Sequence, residues 1–259
     1  MTVIREARKI IEENIHLDEI TVEKIVVGMG YTGVKLSNDD AGVCHSLMAE
    51  AGPGGCGIFD KAGTLTELPL ETLIGYTDSW VLYERVIGLS TLNALSQTYL
   101  KEKEASVLRE NLVDIVRVEA SDNVVIVGAI KPFIKHVKPK AARLAVLERS
   151  HSMEPGYYPD TACEELVPEA DVVIITGSTL ANGTIDRLLE LSEGARLVAV
   201  VGPTASIVPE PLFNRGVSYS GGIRIDDAEK LMTILAEAGG TPQMKRAGTL
   251  VTYVNPKLG

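Results

Sequence analysis

The sequence predicts an α/β protein in which a smaller α+β domain (1–105) precedes a parallel α/β domain (106–259). Three observations lead there. Near-continuous aliphatic runs at 124–127, 144–147, 172–175 and 197–201 alternate with helical segments, as strands buried on both faces do. Four strand-like runs end in glycine and small hydroxyl residues: Gly128-Ala129, Thr176-Gly177-Ser178-Thr179, Gly202-Pro203-Thr204 and Ser220-Gly221-Gly222. Before residue 103 the rhythm differs, with short strand runs joined by tight turns and closed by one long helix.

Taken in order, Arg5, Glu6, Arg8, Lys9, Glu12 and Glu13 among Ile4, Ala7 and Ile11 predict an amphipathic helix over 4–14, not a signal peptide. Strands are expected at 20–29, 32–36 and 42–47, the first two joined through Gly28-Met29-Gly30-Tyr31. A glycine-rich stretch at 52–57 contains Cys56. The helical region at 80–100 carries Ser90, Asn93 and Gln97 on one stripe, which is expected to face water, the alternative being an interdomain cleft. Later helices are expected at 133–137, 162–167, 183–191 and 226–238. Asp226 and Glu229 read as a capping pair for the last, and Gly239-Gly240 as its stop. Strands at 217–220 and 249–254 complete the pattern.

Composition excludes several classes. Thirty-five acidic against twenty-five basic residues give a net charge of −10, unsuited to nucleic acid or anionic membrane surfaces. The densest basic stretch, from Lys131 to Arg143, reads as a solvated helix and turn. The helical region at 80–100 is too interrupted by polar residues to span a membrane. Three cysteines make no disulfide framework and predict a reducing, cytoplasmic setting.

Ligands of open parallel sheets bind beyond the carboxyl ends of the strands, so the glycine and hydroxyl clusters locate the candidate site. The strongest is Thr176-Gly177-Ser178-Thr179 with Asn182, which offers more polar groups than helix capping needs. Glu148, twenty residues beyond Gly128, sits where a ribose-binding acid would stand, but Gly128-Ala129-Ile130-Lys131-Pro132 lacks two glycines of the dinucleotide fingerprint. His16, His45, His136, His151, Cys44, Cys56 and Cys163 show no paired metal-ligand spacing, and adjacent Cys44 and His45 point to opposite faces of a strand. The loop through Glu148, His151, Glu154 and Asp160 is richer in ligand types, its ordinary reading being a solvated loop. No nucleophile elbow, phosphate loop or metalloprotease helix is present, so no catalytic set is legible.

Together the runs from Val124 through Glu148, from Ala170 through Thr179 with Asn182-Gly183-Thr184, and Gly202-Pro203-Thr204 resemble the prokaryotic family known as "putative heavy-metal chelation", or domain of unknown function 364. Gly88-Leu89-Ser90-Thr91-Leu92-Asn93-Ala94 looks like the end of its companion amino-terminal domain. The resemblance implies an enolase N-terminal-like domain followed by a Rossmann-like domain, with a site between them. The site residues it implies are Gly128, Glu148, Thr176, Gly177, Ser178, Thr179, Asn182, Gly202, Pro203 and Thr204.

The expected function is binding of a small polar ligand, or of a divalent transition or heavy metal or its chelate, in the interdomain cleft. Glu148 and Asp160 are the candidate metal ligands. One alternative is a transferase or oxidoreductase using an adenine-bearing cofactor at Gly128 and Glu148; another is a carrier or sensor without turnover. A homodimer through a two-fold interface is a further partner reading.

Overall fold

The computed structural model describes residues 1–50, 59–103, 105, 107–108, 110–149 and 154–258. The glycine-rich stretch with Cys56, and His151, lie outside the described residues.

The amino-terminal helix runs Val3–Asn14, with Thr2 as its cap and Val3, Ile4, Ala7 and Ile11 buried on one stripe. Strands β1 (Val22–Val27), β2 (Tyr31–Leu36) and β3 (Ala41–His45) form an antiparallel sheet in that order. Its two faces are covered by different helices. Gly42 and Cys44 meet the long helix Leu82–Glu102 and the core on that side, whereas Ala41 and Val43 join the core formed with the helix Ala228–Ala236. The period of two along β3 sorts these neighbours.

The second sheet comprises β4 (Asn123–Val127), β5 (Arg143–Glu148), β6 (Tyr157–Pro159), β7 (Val172–Thr176), β8 (Leu197–Val201), β9 (Tyr219–Ile225) and β10 (Gly248–Val254). Its order is β10-β9-β8-β7-β4-β5-β6. All neighbours run parallel except β10, which pairs antiparallel with β9. Counted from β4, the six parallel strands follow the doubly wound order 3-2-1-4-5-6. Parallel pairing thus holds for the aliphatic runs, while the three-residue edge strand β6 is too short to show a pattern in sequence.

Both faces of this sheet are buried, as the aliphatic runs require. Val125, Val127, Val173 and Ile175 face the larger core; Val124, Ile126, Val172 and Ile174 face a second core with Phe133 and Val137. Each such side chain contributes roughly 1.5–3 kcal/mol when fully buried.

Two sequence expectations are corrected. The stripe Ser90, Asn93 and Gln97 does not face water: all three are buried, because the long helix is enclosed from Val86 to Thr98. Their polar groups bind backbone across the interior. Ser90 Oγ donates to Thr32 O (3.1 Å), Asn93 Nδ2 to Val43 O (2.7 Å) and Thr204 O (3.1 Å), and Gln97 exchanges two bonds with Ile225. The stripe therefore stitches the helix to both sheets. The helix Ala228–Ala236 is capped by Asp227, whose carboxylate accepts from Lys230 N–H, not by Asp226, which takes Arg224 and Thr249.

Among the described residues no helix is long and apolar enough to cross a membrane.

Candidate functional site

The doubly wound order creates the site. Strands β4 and β7 are neighbours, yet the segments following them leave on opposite faces. The helix Lys131–Val137 packs into the second core, and the helix Ser178–Asn182 into the first. A crevice opens at such a switch point. Here it is a cleft of about 750 Å³. One wall carries Gly128, Glu148, Thr176, Ser178, Thr179, Asn182 and Asp160; the other carries Tyr31, His45, Leu47 and Glu50 from the small-sheet side.

Gly128 occupies the floor at φ +91°, and a Cβ there would stand 2.8 Å from Thr176 Cγ2. Only glycine fits both the left-handed backbone and that approach. Glu148 Oε2 accepts from Ala129 N–H and Oε1 from Arg149 N–H, each at 2.8 Å, so this carboxylate ties the end of β5 to the first turn.

The hydroxyl cluster divides into two roles. Thr176 and Ser178 touch each other only at 3.4–3.5 Å, the outer limit of hydrogen bonding, which leaves their hydroxyls open to a better partner. Thr179, in contrast, is 2 % exposed and donates to Thr176 O at 2.7 Å, so it secures the first turn of its helix. Thr179→Val should cost about 1 kcal/mol in denaturant unfolding and leave cleft binding unchanged; loss of binding with unchanged stability would reverse this assignment. Asn182 Oδ1 accepts from Thr184 N–H and Oγ1, leaving Nδ2 without a partner among the described residues.

Gly177, Gly202, Pro203 and Thr204 are not in the cleft lining. Thr204 lies beneath it, where Oγ1 accepts from His45 N–H (2.9 Å) and the carbonyl accepts from Asn93. Gly202-Pro203-Thr204 therefore holds the end of β3 in place instead of presenting groups to the cleft.

His45 is the residue sequence reasoning undervalued. It ends β3, its ring meets Tyr31 edge-on at 5.4 Å, and its Nδ1 is buried without a hydrogen-bond partner. The available signal was the strand alternation, which sends His45 away from the fully buried Cys44. Desolvation lowers the His45 pKa, against an upward pull from Glu50 and Glu148. The folded state thus favours neutral imidazole, so its contribution to stability is complete above the unfolded value of about 6.5 and declines as pH falls below it. Proton NMR titration should give His45 a pKa below that value, and His45→Gln should flatten the loss of stability between neutral and mildly acidic pH. A His45 pKa at or above about 6.5 would contradict the desolvated setting.

At the rim, Arg149 donates to Asp160 Oδ2 (2.8 Å) and also pairs with Glu50. Its guanidinium joins the two acids that a cation would otherwise seek. Among the described residues, no group of three or more His, Cys, Asp or Glu is placed to hold a metal ion.

A doubly wound sheet with a polar cleft at its switch point, closed by a second small sheet, defines a two-sheet α/β protein. The chain belongs to the family whose model is described as "Putative heavy-metal chelation", matched over residues 111–254. A second model with the same description matches residues 9–96. An uncharacterized protein of Methanocaldococcus jannaschii is 32 % identical over 189 residues, covering 71 % of each chain. Among solved structures, a family protein of unknown function from Pyrococcus horikoshii aligns with a TM-score of 0.82 at 22 % identity, over 98 % of this chain and 100 % of that one. Another, from Desulfitobacterium hafniense, aligns with a TM-score of 0.77 at 27 % identity, over 97 % and 98 %.

Proposed function

We propose that the cleft binds a small polar organic ligand, either free or carrying a heavy metal as its chelate, between the walls formed by 1–105 and 106–259. The observation that carries this reading is a cleft whose one side offers loosely bonded Thr176 and Ser178 hydroxyls and the Asn182 amide, and whose other side carries Tyr31, His45 and Glu50. Ser178, Thr176 and Asn182 bind and orient; Glu148 fixes the floor; Arg149 ties Asp160 to Glu50 at the rim.

The family description makes metal the natural cargo. In this reading the organic ligand supplies most donors to the metal, since Glu148 is engaged with two backbone N–H groups and Asp160 with Arg149. Equilibrium dialysis against divalent transition-metal salts tests this, using wild type, Glu148→Gln and Asp160→Asn. The expected result is no stoichiometric uptake that depends on either carboxylate. Uptake of one ion per chain, lost in either variant, would establish a direct metal site and replace the proposal.

The strand order and the position of Glu148 at the end of the second parallel strand favour a second reading, an adenine-bearing cofactor. Calorimetric titration with NAD(H) and S-adenosylmethionine addresses it; absence of binding at millimolar concentration removes it.

A further inference from the structure

A second cavity, of about 260 Å³, lies among the start of the amino-terminal helix, the 76–80 turn and the Asn182 corner, and Gly183 lines both it and the main cleft. Its lining carries four charged side chains: Arg5, Asp78, Arg85 and Asp186. Three are committed. Asp78 accepts from Arg5 Nε at 2.8 Å and from Arg8 Nη1 at 3.3 Å. Asp186 accepts from Val3 N–H at 2.9 Å, with Arg215 Nε at 3.8 Å.

Arg85 is the exception. It is half-buried, and among the described residues its side chain makes no hydrogen bond and no ion pair. Its two terminal nitrogens lie 3.0 and 3.1 Å from where a Cβ on Gly183 would stand, so the guanidinium packs closely against a turn whose left-handed backbone, at φ +79°, favours glycine. A guanidinium presents five N–H donors in a planar fork and is never deprotonated in proteins. Holding one partly out of water without acceptors is costly.

We propose that this cavity is a binding site for a small oxyanion, with Arg85 as the anchoring cation. The fork matches the paired oxygens of phosphate or carboxylate. The cavity volume suits a small anion, and both native acids in the lining are neutralised by other cations or engaged with backbone. The site does not rest on the ligand proposed for the main cleft.

The test is equilibrium dialysis of the full chain against radiolabelled inorganic phosphate, with ionic strength held constant by chloride. Wild type should bind phosphate saturably at one per chain, and Arg85→Met should weaken that binding at least about tenfold. Ser178→Ala, which alters the main cleft and leaves the turn around Gly183 intact, should leave it unchanged. Absence of saturable binding, full binding by Arg85→Met, or loss in the cleft variant would each overturn the proposal. If Arg85→Met fails to fold, Arg85→Lys decides, since it keeps the charge and loses the fork. Weakened binding there supports the site, and affinity equal to wild type overturns it.

Discussion

Gly42→Ala should destabilise the protein by about 3 kcal/mol or more, at the upper end of overpacking costs. A methyl group on Gly42 would stand 2.2 Å from the backbone nitrogen of Ala94, 2.3 Å from Ser90 O and 2.6 Å from the Asn93 carbonyl carbon. These are backbone atoms of the long helix, which no rotamer change can move aside. The strand would have to lift from the helix, breaking the Asn93 bond to Val43 O and disturbing the adjacent His45. Denaturant unfolding should show the full loss, with Gly194→Ala as the control, because its nearest neighbour would stand at 3.9 Å. Equal stabilities for the two variants would mean that β3 does not pack against the helix as closely as described.

Ser178→Ala combined with Asn182→Ala should weaken ligand binding by about tenfold to a hundredfold, the loss of two hydrogen bonds at roughly 1 kcal/mol each or slightly more. The fold should survive. Ser178 gives up only the 3.4 Å contact of its hydroxyl with Thr176, and Asn182 gives up its bonds to Thr184 at a surface corner. Circular dichroism should match wild type, while the amount of compound released on denaturing the purified protein should fall. The same yield of released compound from both proteins would remove this strand end from the binding site.

The parallel half of the fold was legible because strands buried on both faces leave uninterrupted aliphatic runs, and because strand ends near a crevice carry glycine and hydroxyl residues. Gly128, Glu148, Thr176, Ser178, Thr179 and Asn182 all line the cleft. What the sequence could not convey was the opposite wall. Tyr31 and His45 reach the cleft only because the small sheet is clamped between the long helix and Ala228–Ala236, a helix that begins 183 residues after His45. The same clamp explains the misread stripe. Ser90, Asn93 and Gln97 look like a solvent face by residue type, but each binds backbone of a distant segment. Gly202-Pro203-Thr204 has the composition of a ligand loop and serves as a support for β3, a distinction made by one hydrogen bond from His45 N–H to Thr204 Oγ1.

The family's description directs attention to metal, and the cleft chemistry directs it to an organic partner; the two agree if the metal arrives already chelated. Native mass spectrometry of protein purified without chelators tests this most directly. The account predicts an adduct with the mass of an organic molecule, with or without a bound metal, that is lost in Ser178→Ala with Asn182→Ala. An adduct consisting of a bare metal ion, or no adduct at all, would contradict it.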